Sequence, residues 1–244
     1  MFDPLTRRAD LRERMDDPDC REDHLLRTLR QFTSINFLVA RYRTVLGRWV
    51  LDDMARDPTR AYRLADLGAG GCDIDAWLLR EARRRGLRLR VTACDADPRV
   101  VAYACAAYGQ DPDLQVQTLD VVRQTLDEPV DYTFGNHFLH HLTDDTIVQL
   151  LQCWSPVTRR SMVFSDLLRS RWAYAGFYLT SWLYRCSFAR EDGLVSIRKG
   201  FRAEELTRLA RKAGCSDVAV VDTLVPSRLV LRIAPGATEA PGVS

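Results

Sequence analysis

The chain has 244 residues, 46% of them hydrophobic and 28% charged, and 35 Lys and Arg against 33 Asp and Glu leave a net charge of +2. That size and balance describe a soluble globular protein with a full core, either one large α/β domain or a domain with a helical cap. They exclude a membrane span, which needs about 18 consecutive apolar residues, and they argue against a chain built to hold nucleic acid, which carries a strong positive field.

Residues 1–20 are polar, with Leu5, Leu11 and Met15 on one short helical face and Asp16-Asp17-Pro18-Asp19 as a break. The basic Arg7-Arg8 is not followed by an apolar stretch, so no signal peptide is expected and the expected location is cytoplasmic. From Glu22 to Met54 apolar residues recur every three or four positions, among them Leu25, Leu29, Phe32, Phe37, Tyr42, Leu46 and Val50. The polar Thr33, Ser34 and Asn36 inside that run predict two helices, near 22–33 and 35–55. Asp57-Pro58 closes the segment, so residues 1–58 read as an N-terminal helical cap.

Strands and helices then alternate. A strand over 63–67 runs into Gly68-Ala-Gly-Gly71 and a helix over about 73–85 that stops at Gly86. A second strand, Leu89–Cys94, ends at Asp95, and Asp97-Pro98 opens a helix that Gly109 closes. Leu114–Leu119 is a third strand ending at Asp120, and Val130–Phe134 a fourth ending in Gly135-Asn136-His137. A helix follows from Asp144 to about Cys153, and Ser161–Ser165 forms a fifth strand ending at Asp166. Residues 167–200 interrupt the rhythm with an aromatic helix carrying Trp172, Phe177 and Tyr178, and with a short extended piece between Gly193 and Gly200. A helix over 203–213 stops at Gly214, and Asp217–Thr223 and Arg228–Ile233 form an antiparallel pair at one side of the sheet. The Pro/Gly/Ala-rich tail, 235–244, reads as disordered. The expected fold is therefore α/β, a doubly wound, Rossmann-like, seven-stranded mixed sheet over 59–234 with a helical cap.

In such sheets ligands collect at the carboxyl ends of the strands, where Asp66, Asp95, Asp120, Asn136 and Asp166 stand. A dinucleotide site wants G-x-G-x-x-G/A, but Asp73 occupies the third glycine's position and would face the pyrophosphate. An acid at Asp66, just before the glycines, suits a cationic nucleoside cofactor that carries no phosphate.

These residues resemble the class I S-adenosylmethionine-dependent methyltransferases. Asp66-Leu-Gly68-Ala-Gly70 looks like the first motif, D/E-x-G-x-G-x-G, with Cys72 in place of the third glycine. Ala93-Cys-Asp95-Ala-Asp97-Pro98 looks like the second, in which the acid holds the ribose hydroxyls. Leu119-Asp120 resembles the third, where the acid meets the adenine amino group, and Asp131–Leu142 the fourth with its following segment. The resemblance covers roughly 60–234 and implies S-adenosylmethionine as cofactor, held by Asp66, Gly68, Ala69, Gly70, Asp95, Ala96, Asp120, Val121 and Asn136. Phe138-Leu-His140-His141-Leu resembles the L-H-D-W stretch of small-molecule O-methyltransferases, with His140 at their general base. His141 is the second candidate, and a purely structural or binding role for either stays open. An imidazole near neutrality suits removal of a phenolic proton.

The expected acceptor is a small apolar or aromatic molecule, a phenol of polyketide or quinone type, bound among His137, Phe37, Trp172, Phe177 and Tyr178. Carbon methylation of an activated ring is the closest rival. From other classes stand a nicotinamide oxidoreductase and a non-catalytic cofactor-fold protein. No nucleic-acid partner is expected, because Asn136 is not followed by the Pro-Pro-aromatic of amine methylation in nucleic acids. No metal is expected either: the seven Cys are scattered without a C-x-x-C pair, and His137, His140 and His141 lack a convincing acidic complement nearby. The chain is expected as a monomer or homodimer.

Overall fold

The structure, a computed structural model, describes residues 5–11, 13–14, 17, 19–39, 41–180, 189–223 and 228–234. The expected tail at 235–244 and the turn Val225-Pro226-Ser227 lie outside the described residues. Seven strands form one sheet in the order β3-β2-β1-β4-β5-β7-β6. They are β1 (Ala61–Leu67), β2 (Arg88–Asp95), β3 (Leu114–Thr118), β4 (Val130–Asn136), β5 (Thr158–Leu167), β6 (Asp217–Thr223) and β7 (Arg228–Ala234). β1 to β5 pair in parallel, and β7 is antiparallel to both β5 and β6.

The central strand β1 is covered on both faces, and Tyr62, Leu64, Ala65, Asp66 and Leu67 are all buried. A strand buried on both faces reads as a continuous apolar run rather than an alternation, which is the pattern of a parallel sheet. Two cores result. On one face Tyr62, Leu64 and Val91 meet Leu46, Leu51 and Met54 of the N-terminal helices and Leu78 of α4 (Asp73–Arg84). On the other, Leu67 and Phe164 meet Leu150, Leu151 and Trp154 of α6 (Asp144–Trp154) and Leu206 and Leu209 of α9 (Ala203–Lys212). α5 (Pro98–Tyr108) starts as the sequence demands, with the Asp97 side chain accepting from the Arg99 N–H and Pro98 in the first turn.

The N-terminal helices break elsewhere than expected. α1 runs without interruption from Glu22 to Val39, straight through Thr33–Asn36. The break comes at Arg41, whose φ of 48° is left-handed. α2 (Tyr42–Leu46) then passes through a π-helical turn, Gly47–Leu51, into α3 (Asp52–Met54). Asp53 anchors this end to the sheet, accepting from the Tyr132 hydroxyl at 2.6 Å and from Arg160 Nε at 2.7 Å.

Residues 167–200 also differ from expectation. Instead of one helix and an extended piece there are two helices, α7 (Arg171–Thr180) and α8 (Ala189–Lys199). Gly193 lies inside α8, where a Cβ would come within 2.3 Å of the Phe177 ring. The glycine thus serves close approach of the two helices, not chain extension. Among the described residues, no helix is long and apolar enough to cross a membrane.

Candidate active site

The carboxyl ends of β1 to β4 open into a cavity of about 740 Å³. Its floor is the turn after β1. Gly68 and Gly70 have φ of 71° and 56°, and Cys72, the residue replacing the pattern's third glycine, is left-handed as well at 59°. The turn therefore keeps the conformation of three glycines although the third is a fully buried cysteine. At Gly68 a Cβ would also meet Phe138 Cδ2 at 2.5 Å. The Gly68 and Ala69 N–H groups donate to the Cys94 carbonyl at 2.9 and 3.0 Å, which fastens the turn to β2.

Asp95 stitches the same two elements from the side-chain direction. Its Oδ2 accepts from the Gly70 N–H at 3.1 Å, and its Oδ1 from the Asp97 N–H at 3.0 Å. Burial lifts its carboxyl above the usual range, against those backbone donors. Asp120 follows β3 and lines the cavity with Val121, whose carbonyl is held at 2.8 Å by the Trp154 indole N–H. Among the buried oxygens of the described residues that lack a protein hydrogen bond, Asp66 Oδ1 and Asn136 Oδ1 belong to residues that line the cavity. Buried acceptors left unmet are costly, so a ligand that brings N–H donors and positive charge fits this end. Ala96 lies at the same rim. All nine residues that the resemblance assigns to the cofactor are brought to one cavity.

The histidines form the other end. His140 is buried between two acids. Its Nδ1 lies 2.7 Å from Asp166 Oδ1, and its backbone N–H donates to Asp166 Oδ2 at 3.2 Å. Its Nε2 lies 3.5 Å from Glu13 Oε1. Burial favours the neutral ring, but the Asp166 and Glu13 carboxylates outweigh it and push His140 up to about 9. Asp166 is held well below the carboxylate range by His140, against its own burial. Glu13 is likewise lowered, by a hydrogen bond from His140 and by neighbouring His141 and Lys199. Lys199 Nζ donates to Glu13 Oε1 at 2.9 Å. His141 stacks at 4.2 Å from the His140 ring, with Nδ1 3.9 Å from Glu13. His137 holds a left-handed φ of 55° and accepts a hydrogen bond from Arg228 at Nε2. Burial and the Arg228 charge keep it neutral.

Glu13, His140 and His141 place ligand atoms within 4.8 Å of one another, a donor set suited to a metal ion. The ammonium of Lys199 and the His140 imidazolium already balance Glu13 and Asp166 there.

Two of these residues escaped sequence reasoning. Glu13 sits in a polar segment with no local signature, and it reaches the site because residues 5–11 and 13–14 lie across it. Arg8 Nε donates to the Lys199 carbonyl at 2.9 Å, and Arg8 also donates to the carbonyls of His140 and Leu142. Ala9 N–H donates to the Arg198 carbonyl at 3.0 Å. Asp166 was legible as a strand-end acid, but not as the partner of His140. The aromatic residues of α7 are not brought to the cavity: Trp172 is 87% exposed, Tyr178 is exposed, and Phe177 packs on Gly193. The side chain of Phe37 lies outside the described part.

No family model matches the chain, and no curated protein sequence matches it. Solved structures do. Human N-acetylserotonin methyltransferase in complex with S-adenosylmethionine superposes with a TM-score of 0.60 at 18% identity, over 88% of this chain and 57% of that one. Magnesium protoporphyrin IX methyltransferase from Synechocystis PCC 6803 gives 0.52 at 12% identity, over 83% of each. The CurJ carbon methyltransferase gives 0.53 at 16%, over 73% and 49%. This chain thus spans about half the length of two of these relatives, and at such identities the shared property is the fold. With the strand order and cavity described above, the chain has the fold of the class I S-adenosylmethionine-dependent methyltransferases.

Proposed function

We propose that this protein transfers a methyl group from S-adenosylmethionine to a small, largely apolar or aromatic acceptor, with a phenolic hydroxyl as the preferred nucleophile. The observation that carries this reading is the pairing, in one cavity, of two unmet buried acceptors at Asp66 and Asn136 with the strand-end acids Asp95 and Asp120. When bound, the cofactor supplies an electrophilic methyl group. Asp66 and Asn136 receive its ammonium end, Asp95 its ribose hydroxyls, and Asp120 its adenine amino group. The bare backbone of Gly68 to Gly70 lets it lie close to the turn.

His140 works on the acceptor. Asp166 fixes the ring through Nδ1, so Nε2 is the nitrogen turned towards Glu13. While Glu13 stays there, the ring holds its proton. An acceptor hydroxyl that displaces the Glu13 carboxylate removes one of the charges raising the ring's pKa, so the Nε2 proton is released to water before the transfer. His140 can then take the phenolic proton as the oxygen attacks. Holding the two substrates in line and excluding water supply the rest of the rate. His141 and His137 border the acceptor. The neighbours by themselves favour neither oxygen nor carbon as nucleophile; His140, held by Asp166, favours oxygen.

Calorimetric titration with S-adenosylmethionine and with NADH separately tests the cofactor. Binding of NADH without binding of S-adenosylmethionine sinks the reading. A panel of phenols assayed with wild type, Asp95→Ala and His140→Ala then tests transfer. Asp95→Ala should weaken cofactor binding by about 10- to 100-fold, as expected for lost hydrogen bonds to a charged group. His140→Ala should lower kcat by about 100-fold or more with the cofactor affinity kept.

A further inference from the structure

A second acid lies beneath the glycine turn. Asp75, in the first turn of α4, is 1% exposed, and Asp66 above it is 3% exposed. Both oxygens of Asp75 and Oδ1 of Asp66 are buried with no hydrogen-bond partner. The two carboxyls act on each other at short range: burial raises the tendency of both to hold a proton, and the like charge of Asp75 raises that of Asp66 further. Their charged and titratable neighbours are Asp73 and Cys72 on the α4 side and Asp95 and Cys94 on β2. Each of these is an acid or a thiol. Two ionised carboxylates cannot share such a site, because burial and mutual repulsion both oppose it, and a proton held between them relieves both.

We propose that Asp66 and Asp75 act as one acid holding a shared proton, in which Asp75 is a positioning residue. With a cationic ligand head in the cavity, Asp75 carries the proton and donates to Asp66, and Asp66 presents a single negative charge to the ligand through Oδ1. This rests on the cofactor reading above and adds to it a residue that the glycine-turn pattern does not contain. Burial raises both acids, Asp75 to about 7 and Asp66 well above its usual range, so the pair keeps a proton near neutrality and, in the free protein, that proton rests on Asp66. The ligand's positive charge replaces the stabilisation that the proton gave Asp66, and that one proton passes to Asp75.

The test combines two readouts on the free protein with one on binding. The infrared carbonyl band of a buried carboxylic acid should be present in wild type at neutral pH, and its titration midpoint should fall by about one pH unit or more in Asp75→Asn, whose amide donates permanently. Thermal stability between about pH 4 and pH 7 should fall as pH rises in wild type and flatten in Asp75→Asn, because acids with raised native pKa values favour folding only while protonated. S-adenosylmethionine should bind Asp75→Asn within about threefold of wild type, but Asp75→Ala about tenfold more weakly, since the alanine leaves Asp66 without its donor. An unchanged band midpoint in Asp75→Asn, or wild-type affinity in Asp75→Ala, overturns the proposal. Failure of wild type itself to bind S-adenosylmethionine overturns the cofactor reading instead, and the proposed presentation to a cation falls with it; the infrared and stability arms still decide whether the proton is shared.

Discussion

At the scale of single residues, Glu13 has the widest effect on the chemistry proposed. It faces His140 Nε2 and is itself met by Lys199. Replacing it by Gln removes one of the charges that hold the His140 proton. The acid limb of the kcat/KM profile should move down by about one pH unit, read from initial rates across pH. Gly68→Ala tests the turn. The new Cβ would strike Phe138 and adopt a φ of 71°, so stability should drop by about 1–3 kcal/mol in chemical denaturation. Because Phe138 leads into the turn carrying His140, cofactor affinity and kcat should both suffer. Cys72 shows that the αL conformation after Gly70 is set by the surrounding structure: the chain tolerates a Cβ there, with the side chain buried.

At the scale of elements, residues 5–11 are pinned from several sides. Arg169, with a fully buried side chain, donates to the carbonyls of Leu5 at 3.1 Å and Gly200 at 2.6 Å and pairs with Glu205. Arg169→Met should cost about 2–4 kcal/mol, because carbonyls and a half-buried carboxylate lose their donor. Hydrogen exchange at the Ala9 amide should rise before that of the sheet. The parallel strands and the glycine stops at 86, 109 and 214 were legible because apolar runs and turn residues are local signals. The helix through Thr33–Asn36 was not, since polar side chains do not by themselves end a helix; the break falls at Arg41. The α8 helix was hidden by Gly193, whose reason for being small is Phe177, a residue on another helix. The cofactor end of the site could be read from short motifs. The acceptor end could not, because Glu13 meets His140 only through the tertiary fold.

At the scale of the whole molecule, buried ionisable groups set the pH dependence of stability. His140 is raised from 6.5 to about 9, so its contribution is full below about pH 6.5 and lost as the pH climbs through 9. Asp166 and Glu13 are lowered, so theirs is present above the ordinary carboxylate range and lost in acid. Asp66 and Asp75 are raised and lose theirs as pH rises above the ordinary carboxylate range, Asp75 through about 7. The melting temperature should therefore peak at about pH 5 and decline steadily to pH 9, as measured by scanning calorimetry. A maximum at or above pH 8 would contradict the assignment of His140 as an imidazolium.

The segment carrying Glu13 sets an order of assembly. The cofactor cavity is built mainly from residues between Asp66 and Leu142, whereas the Glu13–Lys199 contact spans 186 positions. Closing so long a loop is among the slowest steps open to a folding chain, and on a ribosome it must wait until α8 has emerged. A nascent chain would hence own the glycine-turn end of the cavity well before it owned the end where Glu13 meets His140.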